Sequence, residues 1–253
     1  MADWNPESYL RYADERSRPF VELLARVPGT PRTVVDLGCG PGHLTGALHH
    51  RWPDADVLGV DSSPAMIDRA RRDDPGGRYT LADLRTFEPP APVDLVVSNA
   101  TLQWVADHRA LLPRLTSMVA AGGSFAFSVP GNHDAPSHVT LREVAGREPY
   151  RASTASVARP RGFDPEQYLD DLARPGWRVD AWETTYVHVL QGEDPVFTWI
   201  AATGARPVLD ALPEALRPSF VADLQEALRT AYPAHPYGTP LAFRRVFAVA
   251  TRV

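Results

Sequence analysis

Short β-branched or apolar runs recur along the first half of the chain, at Thr33–Leu37, Asp56–Val60, Arg78–Leu81, Val93–Ser98 and Ser124–Val129. Each is too short for a helix and sits between turn-forming residues, so each is read as a buried strand. Between them lie segments with helical spacing: Leu44–Arg51, stopped before Pro53; Pro64–Arg72, with Ser62 or Ser63 as its cap; and Arg109–Val119, ended by Gly122-Gly123. Strands alternating with helices at this interval imply right-handed crossovers and an α/β fold with a parallel sheet. Ahead of them, helices are expected at about Glu7–Asp14 and at Pro19–Val27, the second with proline in its first turn.

The rhythm changes after Pro130. Ser137–Ala145 has helical spacing, Tyr150–Pro165 is irregular, and Arg178–Leu190 alternates as a long strand. Helices are expected at Pro195–Thr203, Val208–Leu212 and Pro213–Tyr232, followed by a last strand over Leu241–Val253. The organisation expected is a single domain, 1–253. It would comprise an N-terminal helical cap (1–30), a core (31–130), and two segments forming a lid (131–177 and 191–238).

Composition narrows the class. The chain has 253 residues, 44% hydrophobic and 23% charged, which is enough for one sizeable core. A formal net charge of −5 argues against a nucleic-acid partner. Every basic side chain apart from histidine is arginine, so a Schiff-base lysine is excluded. Cys39 is the single cysteine, which rules out an intrachain disulfide and a cysteine-based metal cluster. The eight histidines are scattered without ligand spacing, and no metal site is expected. The first residues lack a signal pattern, and no apolar run approaches the roughly 20 residues of a bilayer span. A cytoplasmic protein without membrane contact, a monomer or weak dimer, is the expectation.

The chemistry concentrates in Asp36-Leu37-Gly38-Cys39-Gly40-Pro41-Gly42, between the first core strand and the next helix. A glycine-rich turn there lets backbone N–H groups approach a ligand. The spacing is Gly-x-Gly-x-Gly rather than the Gly-x-Gly-x-x-Gly of pyrophosphate binders. Asp61 ends the next strand, where an acid accepts both hydroxyls of a ribose; the alternative is a helix cap before Pro64. Asp83 follows the third strand, placed for an adenine amine with Leu84 offering a backbone N–H, or else a plain loop acid. Ribose binding by an acid is common to nicotinamide and S-adenosylmethionine enzymes.

Together with Gly59-Val60-Asp61-Ser62-Ser63-Pro64-Ala65-Met66-Ile67 and Ala82-Asp83-Leu84, that loop resembles the successive motifs of class I S-adenosylmethionine-dependent methyltransferases. The resemblance implies a Rossmann-like sheet of seven strands, mostly parallel with an antiparallel last strand, and an α-helical lid. It implies that Gly38 and Gly40 cradle the methionine part of S-adenosylmethionine, with Asp36, Cys39 and Ser62 also among the cofactor-binding residues. Asp61 would bind the ribose, Met66 would pack on adenine, and the segment Asn99-Ala100-Thr101-Leu102-Gln103-Trp104 would border the sulfonium, with Asn99, Ala100 and Trp104 among the cofactor-binding residues. S-adenosylhomocysteine would be the product.

A narrower resemblance, to trans-aconitate methyltransferases, rests on Asp3-Trp4-Asn5-Pro6, Glu15–Pro19, Val21–Pro28, Leu102-Gln103-Trp104, Arg142–Ala145, Thr184–Tyr186 and Ala202–Pro207. It implies a small polycarboxylate as partner, methylated on a carboxylate by in-line displacement. A carboxylate is already ionised at neutral pH, so no general base is required; Gln103, Trp104 and His133 are candidates for alignment only. The other carboxylates call for arginine clamps, with Arg206 first and Arg16, Arg18, Arg244 and Arg245 after it. Tyr186 and Trp104 are candidate walls of the acceptor pocket, Tyr9 and Tyr12 candidate cover from the cap, and His138 a candidate donor beside His133. The competing readings are another acid acceptor (a fatty acid or a carrier-bound malonyl group, served by Phe197, Trp199 and Ile200), a non-catalytic cofactor-binding module, and a nicotinamide dehydrogenase.

Overall fold

The computed structural model describes residues 13–158 and 160–253, with side chains from Ser17 onward. Seven strands form one sheet in the order β3-β2-β1-β4-β5-β7-β6. They are β1 (Thr33–Leu37), β2 (Asp56–Asp61), β3 (Arg78–Leu81), β4 (Val93–Asn99), β5 (Val119–Pro130), β6 (Trp177–Leu190) and β7 (Thr239–Arg252). β1 pairs in parallel with β2 and β4, and β4 with β5. β7 pairs antiparallel with β5, from Ser124↔Thr251 to Pro130↔Arg245. The mixed seven-stranded sheet expected from the resemblance is therefore present.

Ten helices accompany the sheet among the described residues: α1 (Ala13–Ala25), α2 (Thr45–Arg51), α3 (Pro64–Asp73), α4 (His108–Ser117), α5 (Pro136–Ala145), α6 (Arg151–Thr154), α7 (Pro165–Leu172), α8 (Pro195–Ala201), α9 (Arg206–Ala211) and α10 (Arg217–Ala231). The first differs from expectation. Pro19 lies inside α1 instead of opening a helix, and the helix expected at Glu7–Asp14 falls mostly outside the described residues. No described helix is long and apolar enough to cross a membrane.

The described chain divides into two compact units. The larger contains residues 13–131, 162–184 and 245–253; its core is formed by Val35, Leu37, Val96, Phe125, Phe127 and Val246 with the apolar faces of α4 and α7. Near-continuous apolar runs in β1 and β4 are what a parallel strand covered on both faces requires. Tyr168 of α7 is fully buried in this core, and its hydroxyl lies 2.8 Å from His108 Nε2. The smaller unit contains residues 132–158, 160–161 and 185–244, in which α5, α8, α9 and α10 pack together. Residues 162–177, drawn with the lid from the sequence, pack with the sheet because α7 turns Tyr168 and Leu172 into its core.

Candidate functional site

In the larger unit the strand order reverses between β1 and β4, and a ligand crevice is expected beyond the carboxyl ends of strands at such a switch. The loop leaving β1 bends through Gly38 (φ +77°) and Gly40 (φ +57°), both in the left-handed region. Gly38 and Cys39 donate their N–H groups to the Val60 carbonyl at 2.7 and 3.1 Å. The loop is thereby fastened along the end of β2. The two glycines differ in purpose. A Cβ on Gly38 would stand 2.2 Å from Thr101 Oγ1, whereas a Cβ on Gly40 would meet none of the described residues within 4 Å. Gly38 thus permits a close approach between two chain segments, and Gly40 faces open space.

Two carboxylates converge on this loop. Asp36, 3% exposed, accepts from Thr45 Oγ1 at 3.0 Å. Burial lifts its pKa to about 7, the Thr45 hydrogen bond opposes that rise, and the neighbouring Asp61 charge adds to it. Asp61 accepts from Gly40 N–H at 2.9 Å and from Ser63 N–H at 2.8 Å. Its pKa is also raised by burial, and the backbone donors Ser63, Gly40 and Ser62 restrain the shift. The helix-cap alternative for Asp61 falls away, since Ser63 is the N-cap of α3 and accepts from Met66 N–H. Asp83 has a closer partner than the sequence implies. Arg85 grips both its oxygens and donates its backbone N–H as well, which lowers the Asp83 pKa. Met66, Leu84 and Cys39 are buried and Ser62 is exposed. Cys39 packs with Ile67, Ala70 and Tyr79, and burial pushes its thiol far above the ordinary range.

The chain leaving β4 forms the other rim. Asn99 is buried, and its Oδ1 accepts from Ser128 Oγ at 2.5 Å. Ala100 adopts φ +55°, a conformation costing about 1–2 kcal/mol for a residue with a Cβ. It is held there by its N–H bond to the Ser128 carbonyl and by Gln103 Nε2, which donates to its carbonyl at 2.6 Å. Leu102–Trp104 is a single 3-10 turn. Gln103 is 5% exposed, and its Oε1 accepts no hydrogen bond from the described residues. Arg245, 4% exposed, lies opposite Pro130 at the same carboxyl edge of the sheet; its neighbour Arg244 is half-buried.

In the smaller unit, Arg206 opens α9 and its Nε donates to both Asp210 oxygens, at 3.0 and 2.9 Å. Tyr186 is buried and stacks with His188 at a ring separation of 6.4 Å. His133 and His138 have ring centroids 6.1 Å apart. Tyr9, Tyr12 and the Arg16 side chain lie outside the described residues, and Arg18 is exposed. No cluster of three or more metal-binding side chains occurs among the described residues.

Several participants were not singled out from the sequence. Thr45 and Ser128 matter through hydrogen bonds to Asp36 and Asn99, and Thr101, within the segment expected at the sulfonium, has a contact with Gly38 that the sequence does not show. Thr45 sits in the first turn of the helix after the glycine loop, a readable position; the other two pairings cross the sheet and have no local signal.

Residues 34–123 match the family model for a methyltransferase domain. A protein from Streptomyces avermitilis named trans-aconitate 2-methyltransferase is 50% identical, over 99% of this chain and 97% of its own length. Like-named proteins of Rhodococcus jostii and Escherichia fergusonii are 49% and 43% identical, over 98% and 100% of this chain and 98% and 99% of theirs. Among solved structures, the YcgJ protein of Bacillus subtilis superposes with a TM-score of 0.59 at 13% identity, over 94% of this chain and 98% of its own. An S-adenosylmethionine-dependent methyltransferase from Mesorhizobium loti gives 0.53 at 23%, over 95% and 99%. At those identities the structures speak to the fold alone.

Proposed function

The chain belongs to the trans-aconitate 2-methyltransferase family, and on that footing we propose that it transfers a methyl group from S-adenosylmethionine to a carboxylate of trans-aconitate, leaving S-adenosylhomocysteine and a methyl ester. The observation that carries the proposal is near-full-length identity of 43–50% to relatives bearing that name. Likeness extends through the smaller unit as well as the cofactor loop, and the acceptor-specific part of such an enzyme lies outside the shared core.

The residues present suit the cofactor. Asp61 stands at the end of β2 with a carboxylate already ordered by backbone donors, and Gly40 opens onto space a ligand can enter. The Gln103 Oε1 acceptor is buried at the rim the sulfonium would border. Asp61 would hold the ribose hydroxyls, Met66 would contact adenine, and Gly40 with the Asn99–Trp104 segment would surround the methionine part. Asp83 would contribute from beside Arg85. When bound, S-adenosylmethionine supplies an electrophilic methyl on a sulfonium. The protein's part is to align an acceptor that is already anionic and to keep water from it, so no side chain has to remove a proton. His133 is then dispensable as a base. Arg206, Arg244, Arg245 and Tyr186 are proposed for the acceptor, with Arg245 favoured by its burial at the carboxyl edge.

Long-chain acceptors fit less well. Trp199 and Ile200 are each 3% exposed, and Trp199 packs on His188 and Phe243 within the smaller unit. A net charge of −5 supports a small-molecule partner over nucleic acid, and we place the enzyme in the cytoplasm as a monomer or weak dimer. An acceptor panel tests the proposal: kcat/KM for trans-aconitate is expected to exceed that for a fatty acid or a carrier-bound malonyl group by at least about a hundredfold, near the ~3 kcal/mol that lost charge-assisted bonds imply. Equal or reversed preference would overturn it.

A further inference from the structure

The smaller unit contains a cavity of about 70 Å³ that the cofactor chemistry does not use. Its ionisable lining groups are His133, His138 and Arg142, and no acidic side chain lines it among the described residues. The rest of the wall is small or apolar, including Leu141, Val157 and Val208. A charge enclosed by such a wall is felt more strongly than at a surface.

We infer that this cavity is a binding site for a carboxylate of a small polycarboxylic acid. The identity of the acid as the acceptor's class rests on the function proposed above.

Three observations support the assignment. Arg142 is anchored: its NH1 donates to the His133 carbonyl at 2.6 Å, which fixes the guanidinium against the turn ahead of α5. Among the described residues Asp134 is its ion-pair partner, 3.7 Å away and fully exposed, a contact of little energetic weight. His133 and His138 present two imidazoles at a 6.1 Å ring separation, a span one carboxylate bridges with a hydrogen bond to each. Gly204 makes the His138 position possible: a Cβ there would lie 2.6 Å from His138 Cε1. The φ of Gly204 is ordinary, so the glycine is required for space beside the imidazole and not for backbone freedom.

The electrostatics agree with the geometry. Burial, then the nearby His133, then Arg142 push the His138 pKa down to about 4. Three basic groups thus share one cavity, and Asp134 stands beside Arg142 outside its lining. A bound carboxylate relieves that repulsion and favours the imidazolium, so binding is coupled to proton uptake at His138.

Imidazole signals of the full chain provide the test, recorded without cofactor so that no methyl transfer occurs and assigned with His133→Asn and His138→Asn. Adding trans-aconitate is expected to move the His138 and His133 signals saturably and to raise the His138 pKa by a unit or more. Arg142→Gln, checked for unchanged melting, is expected to weaken this response at least tenfold. If Arg142→Gln also raises the acceptor KM with kcat retained, the occupant is the acceptor itself. If KM is unchanged, it is a second molecule of the same acid class. Signals that stay put at acid concentrations saturating turnover, or shifts that survive unchanged in Arg142→Gln, would overturn the site. In either case ester formation by the wild-type protein leaves the proposed function standing. A saturable shift in a protein that esterifies no acid would do the reverse.

Discussion

Gly40 donates its backbone N–H to Asp61 Oδ2 at 2.9 Å, tying the loop after β1 to the end of β2. The carboxylate that would receive the ribose is thereby held in place by the loop that would surround the methionine part. Asp61→Ala is expected to weaken cofactor binding at least tenfold, in line with the ~1.5–3 kcal/mol of hydrogen bonds to a charged group. The acceptor KM should change little. Asp61→Asn, which keeps one oxygen, should fall between the two. Calorimetric titration with S-adenosylhomocysteine reads this directly, and equal losses for cofactor and acceptor would remove Asp61 from the ribose role.

The two loop glycines should fail differently. Both carry a left-handed φ, so alanine costs about 1–2 kcal/mol at either position. At Gly38 the new methyl also collides with the Thr101 side chain, 2.2 Å away, so Gly38→Ala should lower the urea midpoint markedly. Gly40→Ala enters open space and should lose cofactor affinity more than it loses stability. If the two variants are equally destabilised, the contrast drawn from their surroundings is mistaken.

Asp36 makes the stability of the protein sensitive to pH. Its folded pKa, about 7, lies above the ordinary 3.8, so the folded state holds a proton that the unfolded state releases. Stability contributed by the neutral form is present at low pH and lost as pH rises between about 4 and 7. His108 acts in the opposite direction: burial depresses its pKa below 6.5, and its contribution is lost as pH falls through that value. Comparing Asp36→Asn with the wild type isolates the first effect, because asparagine retains an acceptor for Thr45 Oγ1. The variant is expected to melt higher at pH 8, with the difference vanishing near pH 4. A constant difference across that range would contradict the assignment.

The arginines proposed for the acceptor are distinguishable by which constant moves. Arg245→Gln and Arg206→Ala are each expected to raise the acceptor KM at least tenfold while cofactor affinity stays within about twofold, since a lost charge-assisted bond costs ~1.5 kcal/mol or more. Arg206 already holds Asp210 through its Nε, so Asp210→Asn should reproduce part of the Arg206 effect by loosening that side chain. Parallel loss of cofactor and acceptor binding would reduce either arginine to a structural role.

Much of this was legible in the sequence because it is local. The alternation of apolar runs and helical segments located β1 to β4 and helices α2 to α5 to within a few residues. The loop Asp36–Gly42 announced its own turn. Departures occurred where a local signal has two meanings. Gly122-Gly123 suits the stop after a helix, but β5 runs from Val119 through both glycines, with Gly122 at φ +78° and an irregular register against β4 taking up the extra length. Pro19 suits a first helical turn yet lies within α1. Helix α7 was overlooked although Asp164-Pro165-Glu166-Gln167 carries a capping signal, and Asp164 N–H donates to Gln167 Oε1. The pairing of Arg142 and His138 with Gly204 had no sequence signal, because it exists only once α5 and the segment before α9 pack together.

Methyl transfer to trans-aconitate is measured most directly by mass spectrometry of the acid after incubation with purified protein and isotopically labelled S-adenosylmethionine. The expected result is a monomethyl ester carrying the label, formed in proportion to S-adenosylhomocysteine and abolished without enzyme. Tight S-adenosylhomocysteine binding with no labelled ester at millimolar trans-aconitate would contradict the proposed function.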